Sequence, residues 1–438
     1  MRISGWTIGR AGAAVLWCAV ALAPSACYRT AEIDPDASIL DTGDAPDGPL
    51  TGVDLLVVID DSGSMAEEQA ILARGLYALV NSLANPLPTW PYDAVDSMRL
   101  AVVTSDMGVS YGEDRDIPTP DETPASLQAY LNRGDDGKFQ ANDMVAIDLG
   151  DGAIACSEAA TQCPADWTCV GIGDDGVGAC SPEWPGTVSC PAIGAGYVDL
   201  SDVDDDTDAK LNVEAACLAQ QGTSGCGFEQ QLQAAAVALD RDDQDDFLEN
   251  GHLLAVLVIS DEEDCSMRDA PGLFATPDCQ DSTRLNIACN ASEEDESYLF
   301  DARHFRDAFV DAKGDEGSVV FAAIAGVPQE DQEPVAAAAC EGRGDALGDC
   351  LDQEAMQMVP FVDSSSGTDL WKFMPACTRY VGDALVTSAV PGRRYVEIAA
   401  EEFGDRGFVS SICNADWTPA FDDLAALIAE RIAASQGK

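Results

Sequence analysis

The residues best suited to chemistry in this sequence are three oxygen donors at alternate positions, Asp60, Ser62 and Ser64. They offer one carboxylate and two hydroxyls. Small hard cations prefer oxygen ligands, and Mg²⁺ takes about six of them in an octahedral shell. Three side chains cannot fill that shell. We therefore expect the remaining ligands to come from other loops, from water or from a partner molecule.

The elements on either side predict how these donors are held. Residues 53–59 are almost continuously apolar, which is typical of a strand buried on both faces. Residues 67–83 place leucines at helical spacing, so a helix is expected after the polar loop. Strand, loop and helix form the first unit of a parallel α/β sheet, where ligands bind at the carboxyl ends of strands. The alternative is a serine-rich turn in which Asp60 caps a helix N-terminus.

Three further buried strands are predicted at 98–104, 253–260 and 319–326. The second of these follows a predicted helix and ends in four acids, Asp261 to Asp264. Another helix is predicted over about 298–313. The last helix is predicted to begin at Pro419, with Thr418 as its cap.

The D-x-S-x-S spacing after an apolar strand resembles the metal-ion-dependent adhesion site of von Willebrand factor type A domains. The resemblance implies a doubly wound, mostly parallel, Rossmann-like α/β sheet that is flanked by helices, here with long disulfide-rich insertions. It also implies that Asp261 is the remote acidic member of the metal site. Ser62 and Ser64 would be direct ligands, and Asp60 and Asp261 would act directly or through water.

The cofactor implied by the resemblance is Mg²⁺, with Ca²⁺ or Mn²⁺ as alternatives. The family also supplies a ligand from the loop before the middle helix, and this sequence departs from the family's spacing there. Thr223, Ser224 and Glu229 are the possible ligands in that loop.

The N-terminal residues predict export. Residues 1–26 combine early arginines with a short apolar segment, as in a signal peptide. Small residues before Cys27 resemble a bacterial lipobox with Cys27 as the lipidated residue, and ordinary secretory cleavage is the alternative. Tyr28 after that cysteine suggests the outer membrane, by resemblance to Gram-negative lipoproteins. Residues 27–50 are acidic and proline-rich, and predict a flexible tether.

Residues 51–438 are predicted to form the type A domain, with a cysteine-rich insertion at about 106–217 and smaller insertions at about 265–297 and 328–390. The turn at 260–265 and the segment 411–417 look like those of bacterial surface lipoproteins with a cysteine-rich type A domain. Of 16 cysteines, 14 remain after Cys18 and Cys27 are set aside. An exported chain with that many cysteines is expected to form disulfides, seven if all pair.

The formal net charge of −55 argues against nucleic acid or an anionic membrane as an electrostatic partner. The sequence therefore predicts an envelope-anchored adhesion protein, not an enzyme, whose cation binds a carboxylate of a protein partner. One alternative is a structural envelope protein stiffened by metal and disulfides. A minor alternative is a secreted hydrolase with Ser224 as nucleophile, which needs a histidine base from His252 or His304.

Overall fold

A computed structural model of the chain describes residues 48–437, except 85, 87–89, 142–145, 149–154, 157–166, 171–177, 183–186, 192, 194–195, 200–207, 291–297, 330–331, 366 and 382–383. The predicted signal peptide, the predicted lipidation site at Cys27 and nearly all of the predicted tether lie outside the described residues. Within the described residues, no helix has both the length and the apolar character needed to cross a membrane.

The described strands are β1 (Gly52–Ile59), β2 (Ser97–Thr104), β3 (Ala146–Asp148), β4 (Ala155–Cys156), β5 (Trp167–Val170), β6 (Gly178–Pro182), β7 (Thr187–Ser189), β8 (Tyr197–Asp199), β9 (His252–Ile259), β10 (Val319–Ala325), β11 (Gly342–Arg343), β12 (Pro360–Asp363), β13 (Leu370–Phe373), β14 (Cys377–Val381), β15 (Ala384–Ala389) and β16 (Gly407–Ser411). The described helices are α1 (Ala66–Ala84), α2 (Asp208–Leu218), α3 (Gln231–Asp240), α4 (Ala270–Phe274), α5 (Pro277–Gln280), α6 (Ala302–Lys313), α7 (Pro334–Cys340), α8 (Arg393–Glu397) and α9 (Thr418–Ser435).

A seven-stranded central sheet has the order β11-β16-β10-β9-β1-β2-β8. The five inner strands run parallel, and the edge strands β11 and β8 run antiparallel to their neighbours. The predicted mixed α/β fold with a mostly parallel sheet is therefore confirmed. Two smaller hairpins, β12–β13 and β14–β15, lie between α7 and α8 in the sequence. Both contribute residues to the cavity at the candidate site.

Side chains of the inner strands alternate between two apolar cores. In β1, Leu55, Val57 and Ile59 join a cluster that includes residues of α1, α2 and α9. Leu56 and Val58 face the opposite cluster, which includes residues of α3, α6 and α8. Burial on both faces explains why the five residues of β1 from Leu55 to Ile59 are continuously apolar instead of alternating.

The predicted helices are present with small shifts at their ends. The helix expected over 298–313 begins at Ala302, because the side chain of Asp301 accepts the His304 N–H and caps it. Thr418 is already the first helical residue of α9, and Trp417 before it makes no side-chain cap, so the predicted role of Thr418 is wrong.

Four disulfides join cysteines of the described residues, which confirms that the chain is disulfide-bonded. They are Cys190–Cys217, Cys265–Cys289, Cys340–Cys350 and Cys377–Cys413. Cys226 and Cys279 are buried free thiols, so not all of the expected cysteines pair in this structure. The side chains of the other four, at 156, 163, 169 and 180, lie outside the part described.

The two free thiols are expected to be unreactive in the folded protein. Burial raises the pKa of the Cys226 thiol to about 12 and that of the Cys279 thiol to about 11. Since the thiolate is the nucleophile, iodoacetamide at pH 8 should leave both unmodified, and should label both after unfolding without reductant. Peptide mass spectrometry measures the outcome. Rapid labelling of either cysteine in the folded chain would contradict the buried placement.

Candidate functional site

The candidate site lies where β1 and β9 end side by side. The two strands are parallel and in register, with Ile59 opposite Ile259. The Asp60 N–H continues this pairing by donating to the Ile259 carbonyl at 3.0 Å. Asp60 and Asp261 therefore leave the same edge of the sheet, although about two hundred positions separate them in the sequence.

Two serine hydroxyls connect these acids. The Oγ atoms of Ser62 and Ser64 are 2.9 Å apart, and Ser64 Oγ donates to Asp261 Oδ1 at 3.1 Å. Asp60, Ser62 and Asp261 are buried, whereas Ser64 is exposed. The structure thus brings the four predicted residues together, with one hydroxyl facing outwards.

Asp60 is oriented by its own loop and by β9. Its Oδ1 accepts the Ser62 N–H at 2.8 Å, and its Oδ2 accepts the Ser260 hydroxyl at 2.6 Å. Gln231, on α3, donates to Ser260 Oγ at 2.9 Å. Because both Asp60 oxygens already accept hydrogen bonds, this carboxylate suits a role that supports other donors. Ser260 and Gln231 were not predicted as members of the site. The only indication in the sequence was for Ser260, which carries a hydroxyl directly before Asp261.

Glu229 is the third-loop residue that reaches the site. Its side chain is only 3 % exposed, and among the described residues neither carboxylate oxygen has a hydrogen-bond partner apart from the neighbouring Asp60 carboxyl. Burial, and then the negative charges of Asp60, Glu262 and Asp261, raise the pKa of Glu229 well above its ordinary value. A buried carboxyl without a partner is unusual, because its desolvation is uncompensated. A cation would offset both the burial and the repulsion.

The other two third-loop candidates are placed differently. Two hydrogen bonds fix the position of this loop. The side-chain amide of Gln69 donates to the Gly222 carbonyl at 2.7 Å. The Gly225 N–H donates to the Asp61 carbonyl at 3.0 Å. Ser224 is exposed and Thr223 is half-buried. A cavity of about 740 Å³ opens at the site and is lined by Ser64, Asp261 and Glu229, but not by Thr223 or Ser224.

The spacing of the donors fits a small octahedral cation. Adjacent ligands in such a shell, with bonds of about 2.1 Å, lie about 3.0 Å from each other. The contacts between Ser62 Oγ and Ser64 Oγ and between Ser64 Oγ and Asp261 Oδ1, at 2.9 and 3.1 Å, are ordinary hydrogen-bond lengths that also equal this ligand spacing. Within the described residues, no three or more His, Cys, Asp or Glu side chains are grouped so that they could hold a metal. The predicted set differs in kind, since two of its four donors are serine hydroxyls.

Two of the neighbouring acids have structural partners of their own. Glu263 accepts the backbone N–H groups of Arg393 and Arg394 at the start of α8, while burial raises its pKa to about 8. Asp264 accepts the Leu232 N–H at 2.9 Å and pairs with the Arg394 guanidinium at 3.1 Å. Of the acids that follow β9, Asp261 thus belongs to the candidate site, whereas Glu263 and Asp264 anchor helices.

Asp61 faces away from the donor set. Its Oδ1 accepts the Ser105 hydroxyl at 3.2 Å. Burial, and then the charges of Asp106, Asp60 and Asp135, raise its pKa to about 7.

The histidines lie apart from Ser224. His252 is the first residue of β9, at the end of the sheet opposite the candidate site, and its ring binds Asp54 and Ser97. His304 stacks on Phe300 with ring centroids 4.0 Å apart. The described geometry therefore does not place a histidine base beside Ser224.

Comparison with known proteins identifies no relative. No protein-family model matches the sequence, and no curated protein or solved structure is significantly similar to the chain.

Proposed function

We propose that the chain is a cation-dependent binding module of the type A class, in which Asp60, Ser62, Ser64 and Asp261 hold Mg²⁺, or Ca²⁺ or Mn²⁺ in its place. The sheet would be doubly wound in the Rossmann-like manner of that class. The partner is a protein that offers an Asp or Glu carboxylate. Lipid on Cys27 would anchor the exported chain to the outer membrane, with the domain facing its partners.

One observation carries this proposal: Ser64 contacts Asp261 at 3.1 Å, while the Glu229 carboxyl, buried beside the Asp60 and Asp261 carboxyls, has no hydrogen-bond partner among the described residues apart from the Asp60 carboxyl. Negatively charged groups gathered in a buried place repel each other and lose hydration, so the metal-free site is costly. A bound divalent cation supplies the positive charge that these groups lack. The exposed position of Ser64 leaves one side of the site open to a partner.

In this proposal each residue of the site has its own role in holding the cation. Ser62 and Ser64 present hydroxyl oxygens as direct ligands. Asp60 fixes the loop through the Ser62 N–H and receives the Ser260 hydroxyl, so it supplies charge and geometry. Asp261 orients Ser64, and we infer Glu229 as the third-loop ligand in preference to Thr223 and Ser224, because it is buried and lines the same cavity as Asp261.

In the structural alternative, the cation and the disulfides stiffen the protein and nothing binds through the site, whereas a binding module needs a site that is open to a partner. The cavity of about 740 Å³ beside Ser64 and Asp261 favours the open site, because a partner has room to approach. Water proton relaxation with bound Mn²⁺ separates the two possibilities. An open site keeps exchangeable water and shows enhanced relaxation, which a carboxylate-bearing peptide then lowers.

The Ser64→Ala variant tests the site directly. Loss of one hydroxyl ligand is expected to weaken Mn²⁺ binding by roughly tenfold or more, by analogy with the loss of a well-placed contact. Isothermal titration of the full domain with Mn²⁺ measures the affinity. Ser82→Ala is the matched control, because Ser82 lies on α1 near its far end and makes only a 3.4 Å contact with Asp422. Equal Mn²⁺ affinity in the wild type and the Ser64→Ala variant would sink the proposal.

A further inference from the structure

The cavity at the candidate site has two sides of different chemistry. Its floor is acidic and contains Asp261 and Glu229, together with the outward-facing Ser64. The β14–β15 hairpin also lines the cavity and contributes Tyr380 and Leu385. Nothing in the D-x-S-x-S pattern requires this second side, since the hairpin lies in a segment that the sequence indicated as an insertion.

Tyr380 and Leu385 form an apolar platform on that hairpin. They are direct partners across β14 and β15, so their side chains share one face. Tyr380 is 56 % exposed and Leu385 is 52 % exposed, and both line the cavity. Two large apolar side chains left open to water beside a polar site are typical of a place where a partner packs.

The hairpin is held firmly by the same elements that build the site. The Thr387 hydroxyl donates to Glu68 Oε1 on α1 at 2.6 Å. The Val390 N–H, just after β15, donates to the Asp261 carbonyl at 3.0 Å. The Cys377–Cys413 disulfide links the start of β14 to the segment after β16. These contacts fix the base of the hairpin beside Asp261, and the Tyr380–Leu385 pair joins that base through the β14–β15 ladder.

The charges of the cavity select the polar part of the occupant. Five acids line it, Glu229, Asp261, Glu262, Glu263 and Asp363, and Lys372 is the one basic residue among its lining. Lys372 Nζ is 2.9 Å from Asp363 and its side chain is 44 % exposed. A carboxylate can enter this cavity only with a cation on the floor. Because Lys372 is already paired with Asp363, the attraction for an acidic group depends on the cation, and without it the five acids favour a basic group.

The distance between the floor and the platform determines how far apart the two anchoring side chains of a bound peptide must be. Leu385 lies five residues before Val390, which contacts Asp261. At about 3.3 Å per residue, the platform is about 15 Å from the floor along the strand. An extended peptide covers that distance with roughly three to five residues between the two anchoring side chains.

We propose that this cavity binds an extended segment of a partner protein that carries an Asp or Glu for the floor and a large apolar side chain, three to five residues away, for Tyr380 and Leu385. The inference rests on the proposed function, because the carboxylate is recognised through the cation. It adds a specificity determinant that belongs to this chain's own hairpin.

The test uses fluorescein-labelled Gly/Ser peptides that carry one Asp and one Phe, separated by zero to eight residues, with the full domain in Mg²⁺. Fluorescence anisotropy should show binding about tenfold tighter at a separation of three to five residues than for a peptide with Asp alone. The Tyr380→Ser/Leu385→Ser variant should lose this gain and keep its Mn²⁺ affinity. Val335→Ser is the control, since Val335 is exposed and is not among the residues that line the cavity.

The outcomes separate the two proposals. If Mn²⁺ binds and the Asp peptide binds, but the separation or the platform substitutions change nothing, the platform inference is overturned while the metal-dependent module stands. If Mn²⁺ does not bind, both fall together. If a peptide with Lys in place of Asp binds without Mg²⁺ and is displaced by it, the occupant is basic and the inference is wrong.

Discussion

Asp261→Asn is expected to make the metal-free protein more stable while removing its response to Mg²⁺. Asp261 is buried, and its pKa is raised well above the ordinary value by that burial and then by the charges of Asp60, Glu262 and Glu68. Asparagine keeps the shape and can still accept the Ser64 hydroxyl. Removing an uncompensated buried charge should add about 1–3 kcal/mol to the free energy of unfolding without metal.

The gain in the free energy of unfolding from Asp261→Asn should increase as the pH rises. A carboxyl whose pKa is raised in the folded state stays protonated there while it ionises in the unfolded chain, so the fold loses stability as the pH rises above about 3.9. The stability difference between the variant and the wild type should therefore be near zero below that pH and grow as the pH is raised. The opposite slope would show that Asp261 is stabilised as an anion by groups within the protein.

Mg²⁺ should reverse the order of stability. A cation that binds only the folded wild type adds RT ln(1 + [L]/Kd), which is about 2.7 kcal/mol at a hundredfold excess over Kd. Urea unfolding with and without Mg²⁺ measures both effects. Asp114→Asn, at an exposed position, is the control and should show neither. A variant that loses stability in the absence of metal, or that keeps the full Mg²⁺ response, would remove Asp261 from the site.

The strands of this fold could be predicted because they are buried on both faces. Residues 53–59 and 253–260 are apolar at nearly every position, and the structure places them side by side in register. The outer strands gave no such signal. β8 and β11 have only three and two residues, and their antiparallel direction depends on tertiary contacts that no local pattern records. The described residues of β14 and β15 show no regular alternation of buried and exposed positions, but the Gly382-Asp383 pair between the two strands in the sequence is a recognised hairpin signal that was not used in the prediction.

The donor set could be predicted in part for a related reason. Asp60, Ser62 and Ser64 follow each other closely, so their spacing is visible in the sequence, and Asp261 was placed by resemblance. The separate roles of Glu263 and Asp264 could not be predicted, because four acids in succession look alike in a sequence. Only the path of the backbone determines which hydrogen-bond partner each of them, and Ser260 before them, can reach. Glu229 was one of three candidates, and only its burial and its missing hydrogen bonds distinguish it from Thr223 and Ser224.

A second group of buried charges lies at the opposite end of the sheet, around Asp54 on β1. Its Oδ1 contacts His252 Nδ1 at 2.8 Å, and its Oδ2 contacts Lys313 Nζ at 3.1 Å. The Glu249 N–H also donates to Oδ2 at 3.0 Å, and His252 Nε2 lies 2.6 Å from Ser97 Oγ. The order serine, histidine, aspartate matches that of a hydrolase triad.

The surroundings favour a structural role for this group. In a triad the aspartate serves the histidine, whereas the Asp54 carboxylate also carries a lysine and a backbone N–H. The group lies at the amino ends of β1 and β9, away from the edge where ligands bind in parallel sheets. We interpret it as a polar network that ties α6, through Lys313, to the start of both strands.

Lys313→Met is therefore expected to destabilise the fold strongly. The side chains of Lys313 and Asp54 are 6 % and 0 % exposed, so removal of the ammonium leaves a buried carboxylate without its cation. Breaking one partner of such a pair typically lowers the free energy of unfolding by about 3–5 kcal/mol. Arg343→Met is the control, because Arg343 and Glu430 form an exposed pair, 43 % and 47 % accessible, that should contribute at most about 1 kcal/mol.

A second substitution distinguishes charge from packing. If the loss in Lys313→Met comes from the uncompensated charge, adding Asp54→Asn should recover part of it, because the buried site is then neutral. Urea unfolding of the two single variants and the double variant gives the coupling free energy. Additive losses would mean that Lys313 stabilises α6 through the packing of its aliphatic chain, and that the ion pair with Asp54 contributes little to the fold.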